Sequence, residues 1–163
     1  MSHMEKIRVL AADDEYWSRE NLRNLLPWQE YGMEFLEPAC DGEEVLERME
    51  QEHPDILLTD INMPFMDGLE LLARMQKEYP EVVTVAVSGY DDFEKVKGTF
   101  LSGGIDYLLK PVGREDLEQV IRKIMDILEK RKKQKEQEDR TASILSDGAF
   151  SALLNNQLYG REY

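Results

Sequence analysis

The chain has 163 residues, of which 42% are hydrophobic, and this favours one domain with a sizeable core and a short appendage. The formal net charge of −14 disfavours a non-specific nucleic-acid binder, which needs clustered lysine and arginine, but it permits a cation site. One cysteine, Cys40, excludes an internal disulfide and fits a reducing compartment. Because no apolar run approaches the ~18 residues of a spanning helix and no signal-peptide pattern opens the chain, we expect a cytoplasmic protein without membrane contact.

Five short apolar runs have the length and composition of buried strands. The second run has Pro38 within or just after it, which an edge strand tolerates and a central strand does not. The third run ends on Asp60, and Pro64 with Asp67-Gly68 then marks a loop. The predicted strands are Ile7–Ala12, Met33–Leu36, Ile56–Asp60, Val82–Val87 and Tyr107–Leu109.

Amphipathic stretches alternate with these runs and predict five helices. The third helix runs from Gly68 to Tyr79, and the fifth starts near Arg114. The fourth opens at Asp91, where Glu94 completes a capping box, and it continues through Phe100. The predicted buried positions of the other helices are Leu22, Leu25, Leu26, Val45, Leu46, Met49, Leu69, Leu71, Leu72, Met75, Leu117, Val120, Ile121, Ile124, Ile127 and Leu128.

Alternating strands and helices predict an α/β fold: a doubly wound, five-stranded parallel sheet of flavodoxin-like type with an extended C-terminal helix. The edge-tolerant second strand agrees with the strand order 2-1-3-4-5. In that order the first and third strands are neighbours at the switch point. We therefore expect Asp13, Asp14 and Asp60 to meet in one crevice.

Composition divides the chain into three parts. Residues 1–4 are interpreted as a tag remnant followed by the native start, so His3 is left out of every site argument. Residues 5–128 form the predicted globular domain, and residues 129–163 form a helical linker or tail. Glu129–Arg140 is almost wholly polar and lacks proline and glycine, so the last helix is expected to project into solvent. Its apolar positions are too sparse for a sustained coiled-coil heptad.

Three carboxylates in one crevice repel one another unless a cation joins them, and a hard divalent ion such as Mg²⁺ suits oxygen ligands. Lys110 and Ser88 follow the fifth and fourth strands and bring an ammonium and a hydroxyl to the same edge. A metal, a hydrogen-bond donor and a point charge are what a phosphoryl group needs. Asp60 is the candidate nucleophile in this set, which also includes Asp13 and Asp14.

Each of these residues also has a structural interpretation. Asp13-Asp14 is typical of a helix cap, Ser88 of a turn, and Lys110 of a solvated surface lysine. Their shared position at the same end of successive strands favours a functional site, because no structural requirement places them there.

The sequence resembles the receiver (CheY-like) domain of bacterial two-component response regulators. The resemblance covers about Lys6 to Leu128, and its specificity lies in the ordered set of motifs. The matching residues are Asp13-Asp14, Asp60, Ser88 and Lys110-Pro111, with the linking segments Asp41-Gly42-Glu43-Glu44, Met63-Pro64, Asp67-Gly68-Leu69-Glu70-Leu71 and Gly104-Ile105-Asp106-Tyr107-Leu108-Leu109.

The resemblance implies that Asp60 accepts a phosphoryl group from a phosphohistidine of a sensor histidine kinase. It implies that Asp14 and Asp60 bind Mg²⁺ directly, that Asp13 acts mainly through water, and that the backbone carbonyl of Asn62 completes the metal site. The domain would assist its own phosphorylation and dephosphorylation and would not be an enzyme with an external substrate.

The same resemblance implies a conformational switch. Lys110 would contact a phosphoryl oxygen and precede a bond to Pro111 that is often cis in the family. Ser88 would move to hydrogen-bond the phosphoryl group, and Tyr107 would rotate inward behind it. The face formed by helix four, strand five and helix five would then bind a partner or a second receiver as a homodimer.

The output is open. The sequence around Asp14-Glu15-Tyr16 and Leu26-Pro27-Trp28 resembles that of receivers joined to an AraC-type helix-turn-helix domain. Residues 129–163 are too few for such a domain and lack a basic recognition helix, so DNA binding would need a domain absent from this chain. The alternative is a stand-alone receiver, or a pseudo-receiver that is not phosphorylated, acting through protein contacts.

Two other classes share the fold. A haloacid dehalogenase-type phosphatase needs a second aspartate two residues after its nucleophile, and this chain has Asn62 there. A flavodoxin-like flavin binder needs a Ser/Thr/Gly-rich phosphate loop after the first strand, where this chain has Asp13-Asp14-Glu15. Both are therefore disfavoured.

Overall fold

A computed structural model describes residues 6–89 and 106–144. The chain divides into two compact units, Met1–Val120 and Ile121–Tyr163. None of the helices within the described ranges is both long and apolar enough to cross a lipid bilayer.

A parallel five-stranded sheet forms the centre of the first unit. Its order, β2-β1-β3-β4-β5, confirms the prediction, and the neighbouring pairs are all parallel. The central strand β3 is buried at all five positions, which explains why it is a continuous apolar run and not an alternating one. The strands are β1 (Ile7–Ala12), β2 (Met33–Phe35), β3 (Ile56–Asp60), β4 (Val83–Ser88) and β5 (Asp106–Leu109).

Helices follow β1, β2, β3 and β5 in the described part of the chain. The helix predicted over residues 91–100 lies outside the described residues. Asp41 and Asp67 cap the second and third helices by accepting backbone N–H groups, from Glu44 at 2.8 Å and from Leu69 at 2.9 Å. The helices are α1 (Tyr16–Leu25), α2 (Gly42–Glu52), α3 (Gly68–Glu78) and the C-terminal helix (Arg114–Ile144), with a short 3-10 helix at Trp28–Tyr31.

The strand β2 is the short edge of the sheet. It ends at Phe35, one residue earlier than predicted, and Leu36 still donates its N–H to the Val9 carbonyl at 2.9 Å. Pairing with β1 resumes at Ala39, whose N–H donates to the Ala11 carbonyl at 2.8 Å and which forms an isolated bridge with Ala12. Pro38 lies between these pairings, after the end of β2, where an edge segment tolerates its missing N–H. The proline that indicated an edge strand therefore lies just past one.

Most predicted core positions are buried. Leu25 is an exception, because α1 ends at this residue and Leu26, which follows it, is 4% exposed and occupies the core position. Leu46 and Leu69 are partly buried and pack against the edges of the core clusters. The prediction was therefore accurate for the buried face and less so at its margins.

The second unit is described from Ile121 to Ile144 and consists of the C-terminal helix. Ile121 and Ile124 are buried, and the helix is exposed from Glu129 onward. An ion pair one turn apart, Asp126–Lys130 at 3.1 Å, lies on its surface. The extended C-terminal helix is confirmed, while the division of the chain at residues 128 and 129 stays a prediction.

Candidate functional site

The sheet register brings the predicted polar residues to one edge of the first unit. Ala12 lies beside Thr59, so Asp13 and Asp60 follow at adjacent strand ends. Ser88 lies beside Leu109, so Lys110 begins the loop next to it. The Lys110 N–H donates to the Ser88 carbonyl at 2.7 Å, which fixes this loop against β4.

Lys110 is the centre of the site. Its Nζ lies 2.7 Å from Asp13 Oδ2 and 3.1 Å from Asp60 Oδ2. A third carboxylate, Glu15 Oε1, lies 3.9 Å away. The peptide bond from Lys110 to Pro111 is cis, as the resemblance implied. The ammonium therefore balances two buried acids contributed by different strands.

The electrostatics of Asp60 oppose its ionisation. Burial and the negative charge of Asp13 raise the pKa of Asp60, and the Lys110 ammonium and the Asn62 N–H offset this only in part. Burial lowers the pKa of Lys110, but its contacts with Asp13 and Asp60 outweigh burial and leave it raised. Lys110 is therefore charged at neutral pH, and Asp60 lies where a negative charge is unfavourable.

The acids that follow β1 suit a hard divalent cation. Carboxylate oxygens of Asp13, Asp14 and Glu15 lie within 4.8 Å of one another, and the last two side chains are exposed, which leaves room for water ligands. Glu15 was not part of the predicted metal set, although its place in an acidic triplet could have indicated it. Asp60 is not in this close group; its Oδ2 accepts from Lys110 and its Oδ1 accepts the Asn62 N–H at 3.1 Å.

Ser88 and Tyr107 differ sharply in their surroundings. The Ser88 side chain is fully buried, and its Oγ has no hydrogen-bond partner among the residues that the structure describes. A buried hydroxyl without a partner is uncommon in folded proteins. Tyr107, on β5, is 42% exposed. Within the described structure the hydroxyl thus has unused hydrogen-bonding capacity, and the tyrosine side chain is partly exposed.

A cavity of about 340 Å³ opens beside Lys110 and Asp13. Trp17 and Leu22 of α1 line one part of it, and Val112 lines another. Trp17 is 80% exposed, whereas the other tryptophan, Trp28, is buried. The Trp17 fluorescence can therefore report on events at this edge of the sheet.

A doubly wound sheet with clustered acids, a hydroxyl and a lysine at its carboxyl edge defines the class of receiver domains. A family model described as "Response regulator receiver domain" matches residues 9–122. The chain belongs to this family and is a receiver domain of the two-component response regulators.

Solved structures and curated proteins agree with the assignment. The receiver domain of AraT from Geobacillus stearothermophilus is 37% identical, with a TM-score of 0.73 over 77% of this chain and 97% of that one. A two-component transcriptional regulator AraC from Clostridium phytofermentans is 30% identical, with a TM-score of 0.69 over 76% and 97%. The transcriptional regulatory protein HptR of Staphylococcus aureus is 34% identical over 90% of this chain and 56% of its own length. The chain spans about half the length of the curated relatives it matches.

Proposed function

We propose that Asp60 accepts a phosphoryl group from a phosphohistidine of a sensor histidine kinase. The observation that carries the proposal is the Lys110 ammonium, which lies 3.1 Å from the buried Asp60 carboxylate and 2.7 Å from that of Asp13. This arrangement holds the Asp60 carboxylate, the candidate nucleophile, next to the Lys110 ammonium. The ammonium can then contact an oxygen of the transferred phosphoryl group. The 4% exposure of Asp60 leaves only a narrow approach for the donor.

The transfer is a substitution at phosphorus. A carboxylate oxygen of Asp60 forms the new P–O bond, the P–N bond to the imidazole breaks, and the histidine nitrogen keeps the electron pair. Lys110 then exchanges its contact with the free carboxylate for one with a phosphoryl oxygen. Because phosphorylation adds roughly −1.5 to −2 charge, the site needs more positive charge than Lys110 supplies.

A divalent cation meets that need, and the acids present fit it. Asp14 and Asp60 would hold Mg²⁺ directly together with the Asn62 carbonyl, and Asp13 would act through water. Bound there, Mg²⁺ would supply positive charge to the phosphoryl oxygens. Glu15 is a further carboxylate within reach of the same ion.

The buried hydroxyl of Ser88 supports a switch. Among the described residues its Oγ has no hydrogen-bond partner, so a phosphoryl oxygen would supply an acceptor and favour the phosphorylated conformation. Tyr107 would rotate inward behind it, and the face of helix four, strand five and helix five would bind a partner or a second copy. Helix four of this face is the predicted helix outside the described residues.

We propose transcriptional regulation as the output. HptR and the Clostridium phytofermentans protein are both described as transcriptional regulators, and the chain covers 56% of HptR. DNA contact would belong to an AraC-type domain absent from these 163 residues. The lone cysteine and the family support a bacterial cytoplasmic location. A stand-alone receiver acting through protein contacts is the alternative.

The test is labelling of Asp60 with acetyl phosphate and Mg²⁺, followed on Phos-tag gels. Asp60→Asn should abolish the shifted band, because an amide is not a nucleophile for phosphorus. Asp55→Asn is the matched control, since Asp55 is exposed at the opposite end of β3. Full labelling of Asp60→Asn would refute the assignment.

A further inference from the structure

Gly68, the first residue of α3, lies directly against the backbone that carries Asp60. A β-carbon built on Gly68 would lie 2.5 Å from Ile61 Cα, 2.6 Å from the Asp60 carbonyl oxygen and 2.8 Å from that of Ile61. The Gly68 N–H also donates to the Ile61 carbonyl at 2.8 Å. All these atoms belong to the main chain, so no side-chain rotation can make room for a methyl group.

The need for glycine here comes from this close approach. The positive-φ glycine of the described residues is Gly32, so the backbone of Gly68 is in a region that alanine also adopts. Alanine would suit the start of a helix better than glycine. The glycine is therefore explained by its distance to Ile61 and not by its conformation.

A second glycine, Gly42, packs against the loop that connects Asp60 to Gly68. A β-carbon on Gly42, at the start of α2, would lie 3.0 Å from both Cβ and Sδ of Met66. Met66 is 8% exposed and belongs to the hydrophobic core, so it anchors the loop that leads from Asp60 to Gly68. Asn62, whose carbonyl is a proposed metal ligand, lies in this loop.

We infer that Gly68 is a positioning residue for the phosphoacceptor site: its close contact with Asp60 and Ile61 fixes the Asp60 carboxylate and the Asn62 carbonyl. The inference rests on the proposed function. A methyl group at Gly68 is roughly 1 Å closer to Ile61 Cα than an optimal carbon–carbon separation allows. The end of β3 and α3 must therefore separate by a distance that misplaces both groups.

Gly68→Ala tests the inference, with Gly113→Ala as the matched control. Gly113 has open space around it, since the nearest atom to its β-carbon would be Asp116 Oδ2 at 3.9 Å. We expect Gly68→Ala to lower the rate of phosphorylation by acetyl phosphate at saturating Mg²⁺ by about 10- to 100-fold, the scale of effect of a 1 Å misplacement. Mg²⁺ affinity, read from Trp17 fluorescence, should fall in the same variant, and Gly113→Ala should match the wild type in both.

A measurement without metal separates positioning from loss of stability. In ¹H–¹⁵N spectra of the metal-free protein, Gly68→Ala should shift the amide signals of Ile61 and Asn62, while circular dichroism shows a folded chain. Unchanged Mg²⁺ affinity, rate and amide signals in a folded Gly68→Ala would overturn the inference and leave the phosphoacceptor assignment intact. Failure of the wild type to be labelled would instead overturn the proposed function, and the metal-free spectra would still decide the positioning.

If Gly68→Ala does not fold, Gly42→Ala decides the question. It meets the side chain of Met66 and not main chain, so the loop moves less. The expected result is a smaller loss of the same kind, with both Mg²⁺ affinity and rate reduced by about 2- to 5-fold. Values equal to those of the wild type would overturn the inference.

Discussion

Charged clusters lie at both ends of the parallel strands, at their carboxyl ends (the carboxyl edge) and at their amino ends (the amino edge). The two clusters differ in how far they are buried. At the carboxyl edge Lys110 contacts Asp13 and Asp60, whose side chains are 1% and 5% exposed. At the amino edge Arg8 lies 3.7 Å from Glu34, and these side chains are 45% and 49% exposed. The Arg8 N–H also donates to Asp55 Oδ2 at 2.8 Å. One cluster is removed from water and the other remains in it.

Burial distinguishes the functional cluster from the exposed one. Exposed ion pairs are screened by water and contribute little to stability, so the amino edge can change without much consequence. Burial at the carboxyl edge raises the pKa of Asp60 and leaves Ser88 Oγ without a partner in the described chain. A carboxyl group with a raised pKa and a hydroxyl without a partner are the groups that a phosphoryl group or a metal ion would affect most.

Removing the cation at each edge should give the largest contrast. Lys110→Met leaves two buried carboxylates unpaired and should lower the free energy of unfolding by about 2 kcal/mol or more at pH 7. Arg8→Met, at the exposed cluster, should cost less than about 1 kcal/mol. Urea unfolding followed by circular dichroism measures both. Equal losses would show that burial does not separate the two edges.

Metal binding should depend on acids of the carboxyl edge alone. Asp14→Ala should weaken Mg²⁺ binding at least ~10-fold, equivalent to ~1.4 kcal/mol, because it removes a proposed direct ligand. Glu15→Ala should weaken it about 3-fold, as expected for a neighbouring charge and not a ligand. Titrations followed by Trp17 fluorescence measure both, and Glu52→Ala at the amino edge is the control. A larger effect for Glu15 than for Asp14 would exchange their roles.

Neutralising Asp60 should stabilise the metal-free protein at pH 7. A folded-state pKa above the usual 3.8 means that ionised Asp60 costs folding free energy, a cost that grows as pH rises through that pKa. Asp60→Asn should therefore raise the melting temperature of the metal-free protein at neutral pH. The gain should disappear as pH falls towards 3.8, because the wild-type group is then protonated.

The exposed counterpart provides the control for this stabilisation. Asp55→Asn replaces a carboxylate that already accepts the Arg8 N–H in water, so no increase in melting temperature is expected. Differential scanning calorimetry at several pH values compares the two variants. A similar increase in both would assign the effect to the net charge of −14 and not to burial.

The smallest effect is expected for Ser88→Ala. Its Oγ makes no hydrogen bond within the described structure, so its removal should change the free energy of unfolding by less than about 0.5 kcal/mol. Thr59→Val is the comparison, because Thr59 Oγ1 donates to the Asp60 carbonyl at 3.1 Å and its loss should cost about 1 kcal/mol. Equal costs measured by urea unfolding would mean that Ser88 has a partner in solution.

The fold could be predicted because its signals are local. The strands β3 and β4 are buried along their whole length and β1 over its last four residues, and Pro38 placed the second run at an edge. The juxtaposition of Asp13, Asp60, Ser88 and Lys110 followed from strand order alone, since parallel strands end at one edge.

The finer contacts were not predictable, because they depend on distances between elements and on side-chain direction. Sequence does not show that Lys110 contacts one oxygen of Asp60. Nor does it show that the close acidic group contains Glu15 and not Asp60. Nor does it show that α3 touches the main chain at Ile61. The turn residues Asp67-Gly68 indicated a loop, but only the packing distance shows why glycine is required there.

The three-residue edge strand β2 has a consequence for handling the protein at high concentration. An open edge offers unpaired N–H and C=O groups on which strands of other molecules can assemble. Here the strand ends at Phe35, and the exposed Glu34 places a charged side chain on that edge. A second copy approaching edge-on would meet few free backbone groups and a charged side chain. We therefore expect resistance to fibril growth from this side of the sheet.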